Sequence, residues 1–177
     1  MGGIEVREST PEDTPRAEQA AHLIAEASSH HDIATRTTEW LAKKVRARRA
    51  AVALDGDELV GFGYWSSWQE DTFVSHSGLV VRADYRGAGL GGDLKRVLFD
   101  SSRRQLPDAR LISLTTSPQV RKLNLALGFE IVPLDQLTQD PAFWEGCKTC
   151  RNYEDVVARG EKCCCEGMLL PPGPPAG

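Results

Sequence analysis

Nowhere does the 177-residue chain contain the ~18 to 20 consecutive apolar residues needed to cross a bilayer, so no membrane span is expected. Residues 1–10 carry neither the basic flank nor the apolar run of a secretory leader. Gly2 does not complete an acylation signal, because Val6 stands where that signal needs Ser or Thr. The expected location is cytoplasmic. An excess of positive charge is missing too. Lys and Arg number 21 against 25 Asp and Glu, a net charge of -4, which argues against a nucleic-acid partner. Cysteine is absent before Cys147, and all five cysteines fall between there and Cys165. They are too few for a disulfide-built scaffold, and their clustering calls for another explanation. Internal repeats are absent.

The apolar share is 41%, or about half once the 16 glycines are counted, which suits one packed domain. The expected organisation is a single domain over 1–170, with 140–170 a cysteine-containing extension and 171–177 a proline-rich tail disordered by composition. Ile4, Val6 and their polar neighbours alternate as a first strand. Thr10-Pro11-Glu12-Asp13 then opens a helix whose buried stripe is Ala17, Ala20, Ala21, Ile24 and Ala27. A second amphipathic stretch carries Ile33, Trp40, Leu41 and Val45. Asp55-Gly56 between two apolar runs signals a hairpin. A long extended run over 73–81 follows, then a helix marked by Leu90, Leu94, Val97 and Leu98. A strand over 111–116 leads to Ser117 and Pro118 as helix cap and first residue, with Gly128 as the helix stop and a short strand after it. Beyond Pro133 the pattern reads as irregular. The order of elements gives a mixed α and β fold rather than a regular parallel alternation.

The densest signal is Arg86-Gly87-Ala88-Gly89-Leu90-Gly91-Gly92, between the long strand and its helix. Glycines let successive N–H groups converge and the helix N-terminus adds its dipole, so the loop suits a phosphate or pyrophosphate. Gly87, Gly89 and Gly92 also satisfy the dinucleotide fingerprint. That reading fails on context, because several strands come first and the next strand ends in Thr115 and Thr116 rather than an acidic residue.

The loop, with Arg86, Gly89 and Gly91 in register, resembles the pyrophosphate loop of the GNAT family of acyl-CoA-dependent N-acetyltransferases. Leu127-Gly128-Phe129 is similar to that family's helix-closing landmark, and the resemblance spans roughly residues 4–134. It implies the GNAT fold, a mostly antiparallel splayed central sheet flanked by helices, and acetyl-CoA as cosubstrate. By the same resemblance, backbone at Val80 and Val81 binds the pantetheine arm, and the amides from Arg86 through Gly87, Ala88, Gly89, Leu90 and Gly91 to Gly92 hold the pyrophosphate. Many members use a Tyr where this chain has Asn124; Asn cannot be a general acid, so either another group or water serves, or Asn124 only hydrogen-bonds the cofactor.

His76, on the strand resembling the family's catalytic strand, is the candidate base, since a neutral imidazole accepts a proton near pH 7. The alternative is a histidine on the other face, as one residue of register decides its direction. Ser75 and Ser77 face oppositely and are candidates for substrate contact. Glu70 and Asp71 read as a solvated loop, and Trp65 and Trp68 as core or as a pocket wall. Arg36 and Thr37 would border the acceptor site in a GNAT fold, and an arginine fork suits a carboxylate; a surface arginine is the alternative.

Cys147-x-x-Cys150 and Cys163-x-Cys165 could converge as four thiolates on zinc, or remain reduced, packed thiols. This tail, with Phe143-Trp144 and Met168, resembles a subset of short GNAT proteins, some associated with arginine biosynthesis, which implies glutamate as acceptor. The expected activity is acetyl transfer from acetyl-CoA to a small amine by direct attack; the alternative is a non-catalytic acyl-CoA-binding module that uses the cysteine tail for partner contact. A homodimer is left open.

Overall fold

The computed structural model describes residues 2–161 and 163–173; positions 174–177 of the proline-rich tail lie outside the described residues. A seven-stranded sheet runs in the order β1-β2-β3-β4-β5-β7-β6. Its strands are β1 (Glu5–Glu8), β2 (Ala50–Asp55), β3 (Glu58–Trp68), β4 (Phe73–Val81), β5 (Arg110–Thr115), β6 (Glu130–Val132) and β7 (Glu166–Leu170). All neighbours pair antiparallel except β4 and β5, which are parallel. The helices are α1 (Ala17–Ser28), α2 (Thr38–Arg46), α3 (Leu90–Gln105), α4 (Pro118–Ala126), α5 (Pro141–Glu145) and α6 (Tyr153–Ala158). None of the described helices is long and apolar enough to cross a membrane.

Local chemistry explains most boundaries. Thr10 opens a 3₁₀ turn (Pro11–Arg16) before α1 rather than α-helix from the start, consistent with Pro15 in its interior lacking an N–H. Asp13 locks that turn: its carboxylate accepts from the Thr10 amide at 2.8 Å and from Arg7 Nη1 at 2.7 Å, tying it to β1. The Arg7 bond holds Asp13 down to about 2, against an upward push from burial. The Ser117 cap, Pro118 and the Gly128 stop (φ 99°) stand as the sequence suggests.

Two apolar clusters sandwich the sheet. On one face α1 and α2 pack Ile24, Leu41 and Val45 against Phe62, Tyr64 and Val80. On the other, Leu94, Leu98 and Phe99 of α3 pack on Val60, Trp65, Val74 and Met168. Two irregularities in β4 then create the site. Phe62 pairs with Val80 while Tyr64 pairs with Ser77, so β4 carries one residue more than β3 across that interval, a bulge centred on Gly78. Gly78 sits at φ +62°, and a Cβ there would lie 2.4 Å from Tyr64 Cε1, so no other residue fits. The bulge reverses side-chain parity. Ser75 and Ser77 share the α1 face with Val80, whereas Leu79 and Val81 turn to α3.

The second irregularity is the end of the β4–β5 ladder at Ser75 and Ile112. Beyond it the strands diverge, leaving a cleft between the C-terminal halves of β4 and β5. The region after Pro133 departs from the irregular chain expected. It forms α5, α6 and β7, and β7 inserts between β5 and β6, so β6 is held in the sheet only through its pairing with β7. Met168, fully buried, anchors that strand. Its run is short and abuts prolines, so its strand character comes from its two neighbours, which the local sequence does not encode.

Candidate active site

The cleft opens onto the glycine loop. Gly87 (φ +88°) and Gly89 (φ +82°) adopt left-handed backbone with nothing near the position of a Cβ, so conformation rather than space demands glycine there. Gly89 caps α3 without a side-chain bond, so the first amides of the helix are not closed off by a side chain. Leu90 is buried and pins the helix start, while Arg86 Nε donates to Val81 O at 3.1 Å and ties the exposed loop to the strand end. The arrangement presents amide donors and the positive end of a sixteen-residue helix to an anion. Val80 and Val81 are committed to the two cores by their side chains, which leaves their backbone for a ligand laid along the unpaired edge of β4.

On the α1 face lies a cavity of about 130 Å³ walled by Arg36, Tyr64, Ser75, Ser77, Phe143 and the cysteine segment. Arg36 donates to the carbonyls of Thr35 (3.1 Å) and Gly146 (3.4 Å) and stacks on Trp40. The Tyr64 hydroxyl meets both the Arg36 guanidinium and the Ser77 hydroxyl, and burial holds its phenol above the ordinary range. Trp68 also lines the cavity and donates to Ser75 Oγ at 2.8 Å. Asp32 closes one side: Thr116, Arg151 and Asn152 all donate to its carboxylate, keeping it ionised.

Several expected residues have other work. Thr37 accepts from the Trp40 amide as the α2 cap and is not part of the cavity wall. Trp65 belongs to the α3 core, its Nε1 donating to Ser101. Glu70 and Asp71 form an exposed turn with positive φ.

His76 requires a correction. It borders the cavity, but its ring turns to the α3 face, opposite Ser75 and Ser77, and both nitrogens are engaged. Lys95 Nζ lies 2.8 Å from Nδ1 and Ser102 Oγ 3.0 Å from Nε2. Ser102 Oγ donates on to Leu98 O, so the network assigns the ring proton to Nε2 and makes Nδ1 the acceptor from lysine. Burial, then the Lys95 and Arg103 cations, hold His76 well below its ordinary range. A ring locked behind the sheet is not placed to take a proton from an amine on the α1 side.

Asn124 is 0% exposed on α4; its Nδ2 donates to Ser113 Oγ at 3.0 Å, while Oδ1 has no partner among the described residues. Its free atom is an acceptor, so Asn124 is not built for proton donation. Sequence reasoning missed Tyr64, Asp32 and Lys95. Tyr64 was legible as a strand residue opposite the catalytic-strand candidates. Lys95 falls beside Leu94 and Leu98 in the apolar stripe of α3, a position where a cation is unexpected.

The five cysteines are free, half-buried thiols drawn together. Cys147, Cys150, Cys163 and Cys165 all line the cavity, and the Sγ atoms of Cys163, Cys164 and Cys165 lie within 4.8 Å of one another. The thiols of Cys147 and Cys165 direct hydrogen bonds at Cys163, whose ionised form they favour, so its pKa falls while theirs rise.

The profile of the Acetyltransferase (GNAT) family matches residues 9–129. Among solved structures, N-acetylglutamate synthase from Neisseria gonorrhoeae, complexed with coenzyme A and N-acetyl-glutamate, superposes with a TM-score of 0.67 at 17% identity; the match covers 97% of this chain and 35% of that one. A Mycobacterium tuberculosis protein in complex with CoA and NLQ gives 0.66 at 18% identity, covering 94% of this chain and 98% of that one. A phosphinothricin acetyltransferase of the GNAT superfamily from Sinorhizobium meliloti, with AcCoA, gives 0.63 at 16% identity, covering 96% and 89%. No curated protein matches the sequence. This chain therefore spans about a third of the Neisseria enzyme's length, and these likenesses establish the fold.

Proposed function

This chain belongs to the GNAT acetyltransferase family, and from that premise we propose that it transfers acetyl from acetyl-CoA to the amine of a small carboxylated acceptor, an amino acid such as glutamate. The observation that carries the reading is Arg36. Its guanidinium reaches the cavity on the α1 face beside two hydroxyls, Tyr64 and Ser77, at the level where β4 and β5 part. A forked cation there holds a carboxylate, and the acceptor amine is left pointing toward the cleft. The amino-acid products and substrates named for the Neisseria and Sinorhizobium proteins are in keeping with such an acceptor.

Acetyl-CoA would lie along the open edge of β4, its pantetheine on the backbone at Val80 and Val81 and its pyrophosphate on the amides from Arg86 to Gly92. The amine then attacks the thioester carbonyl directly, beside the backbone of β4 that the end of the β4–β5 ladder at Ser75 and Ile112 leaves unpaired. Before it attacks, the acceptor ammonium gives its proton to water in the cavity, because the His76 ring is turned away and Asp32 is saturated with donors. Departure of the thiolate needs no Tyr. A thiol titrates near ~8.5, so a thiolate is a tolerable leaving group at neutral pH, and Asn124, whose amide nitrogen is held by Ser113, supplies no proton to it.

Mass spectrometry of the protein incubated with acetyl-CoA and a pool of amino acids, polyamines and peptides tests this. One N-acetylated carboxylated amine is expected. In Arg36→Ala its KM rises by roughly ten- to a hundredfold, from the loss of charge-assisted hydrogen bonds worth ~1.5 to 3 kcal/mol, while the KM for acetyl-CoA stays put. Product formed only from amines that lack a carboxylate would refute the role of Arg36. The second reading, an acyl-CoA-binding module without turnover, is favoured by Asn124 at the acid's place; it gains if acetyl-CoA binds and no acceptor is modified.

A further inference from the structure

The cysteine segment is held by the fold at several points. β7 fixes the residues after Cys165 against β5. Arg151 and Asn152 donate to Asp32, and Arg36 donates to Gly146 O in the turn that carries Cys147. Five thiols are thus collected on a scaffold instead of scattered on a loose tail.

Their arrangement singles out four. Cys147 lies in a short 3₁₀ turn (Gly146–Thr149) that Cys150 closes, and Cys163 and Cys165 stand two apart just before β7. These four face one cavity. Cys164 borders a separate cleft with Thr116 and Arg121, and its sulfur accepts from Asn152 Nδ2 at 3.3 Å. Tetrahedral zinc with Zn–S bonds of ~2.3 Å needs sulfurs about 3.8 Å apart. Cys163 and Cys165 are within 4.8 Å, the Cys147 thiol contacts Cys163, and Cys150 lines the same cavity and feels the Cys163 charge. The surroundings suit thiolates. The Cys165 amide donates to Cys163 Sγ at 3.4 Å, and the Arg36 guanidinium faces Cys147, offsetting negative charge.

We propose that Cys147, Cys150, Cys163 and Cys165 bind one thiophilic d10 cation, zinc(II), and that this metal sets acceptor affinity by fixing the Gly146–Thr149 turn against Arg36. On binding, each ligating thiol gives its proton to solvent as its Zn–S bond forms. The metal site stands by itself; its effect on the acceptor rests on the function proposed above.

The test uses the full chain, purified reduced and without chelator, and measures zinc by plasma mass spectrometry. About one zinc per chain is expected, retained in Cys164→Ser and lost in Cys147→Ser, Cys150→Ser, Cys163→Ser and Cys165→Ser. Should those variants fail to fold, cobalt(II) added to the metal-free wild type gives sulfur-to-cobalt charge-transfer absorption if the site is tetrahedral thiolate. A folded, reduced protein that takes up neither zinc nor cobalt overturns the proposal, as does zinc that survives all four substitutions or a disulfide joining any of the four. The linkage to function is read separately. Removing zinc should raise the acceptor KM severalfold and restoring it should reverse the rise, with the KM for acetyl-CoA unchanged; equal acceptor KM with and without zinc refutes the linkage and leaves the metal count intact.

Discussion

Replacing Lys95 with Met should erase a pH dependence of stability that the wild-type chain carries. Lys95 is 3% exposed on the sheet-facing side of α3. Its ammonium reaches His76 Nδ1 and the face of Phe129, and no carboxylate among the described residues pairs with it. Burial lowers it from 10.5 to about 7. In the unfolded chain lysine keeps its proton up to its ordinary pKa, so between those values folding releases one proton. Stability therefore rises with pH through that window, by at most ~1.4 kcal/mol per pH unit, and below about pH 7 both states are protonated and the slope vanishes. Between pH ~7 and ~9.5 the gain is about 3 kcal/mol. His76 does not obscure it, since its lowered pKa leaves it neutral in the folded chain and an ordinary histidine, at ~6.5, is largely neutral in the unfolded chain over this range. Urea unfolding of wild type and Lys95→Met across that range isolates the lysine, because the cysteines and tyrosines titrate in both. The stability difference should shift toward the wild type by about 1 kcal/mol per unit. Parallel curves would refute the lowered pKa of a buried Lys95.

Three further outcomes follow from single contacts. Asp13→Asn should cost about 2 kcal/mol at neutral pH; because Arg7 depresses this carboxyl to about 2, its stabilisation is present above pH ~4 and fades toward pH ~2, so acid unfolding of the variant should lack that part of the slope. Gly78→Ala combines a positive φ with a 2.4 Å approach to Tyr64 and should lower stability by about 2 to 4 kcal/mol in urea titration; a loss under ~0.5 kcal/mol would mean that the bulge is not required. Gly89→Val, at φ +82° in open space, should weaken acetyl-CoA binding about tenfold by calorimetry with a smaller effect on folding, and unchanged affinity would remove the loop from the pyrophosphate site.

Features set by neighbours in sequence were legible in advance. The hairpin signalled by Asp55-Gly56 forms, with Asp55 closing β2 against Glu58 and Gly56 (φ +61°) and Asp57 making the turn; Ser117 with Pro118 starts α4 and Gly128 ends it; the glycine loop sits at the start of α3. In each case a few adjacent residues fix the backbone by sterics or one local hydrogen bond. What tertiary structure decided depends on partners far along the chain. β7 is a strand because β5 and β6 flank it. The parity of β4 follows from one extra residue opposite β3, which no count along β4 alone reveals. His76 faces α3 because α3 supplies Lys95 and Ser102, and Lys95 is buried because the sheet covers that side of the helix. Spacing suggested that the cysteines pair, but their meeting Arg36 at one cavity was fixed by the pairing of β7 with β5 and by the Arg151–Asp32 and Arg36–Gly146 bonds, which join segments more than a hundred residues apart. Sequence thus set the turns, caps and loop chemistry of this protein, while the direction of its buried polar side chains came from packing, because a strand presents either face equally until its neighbours are in place.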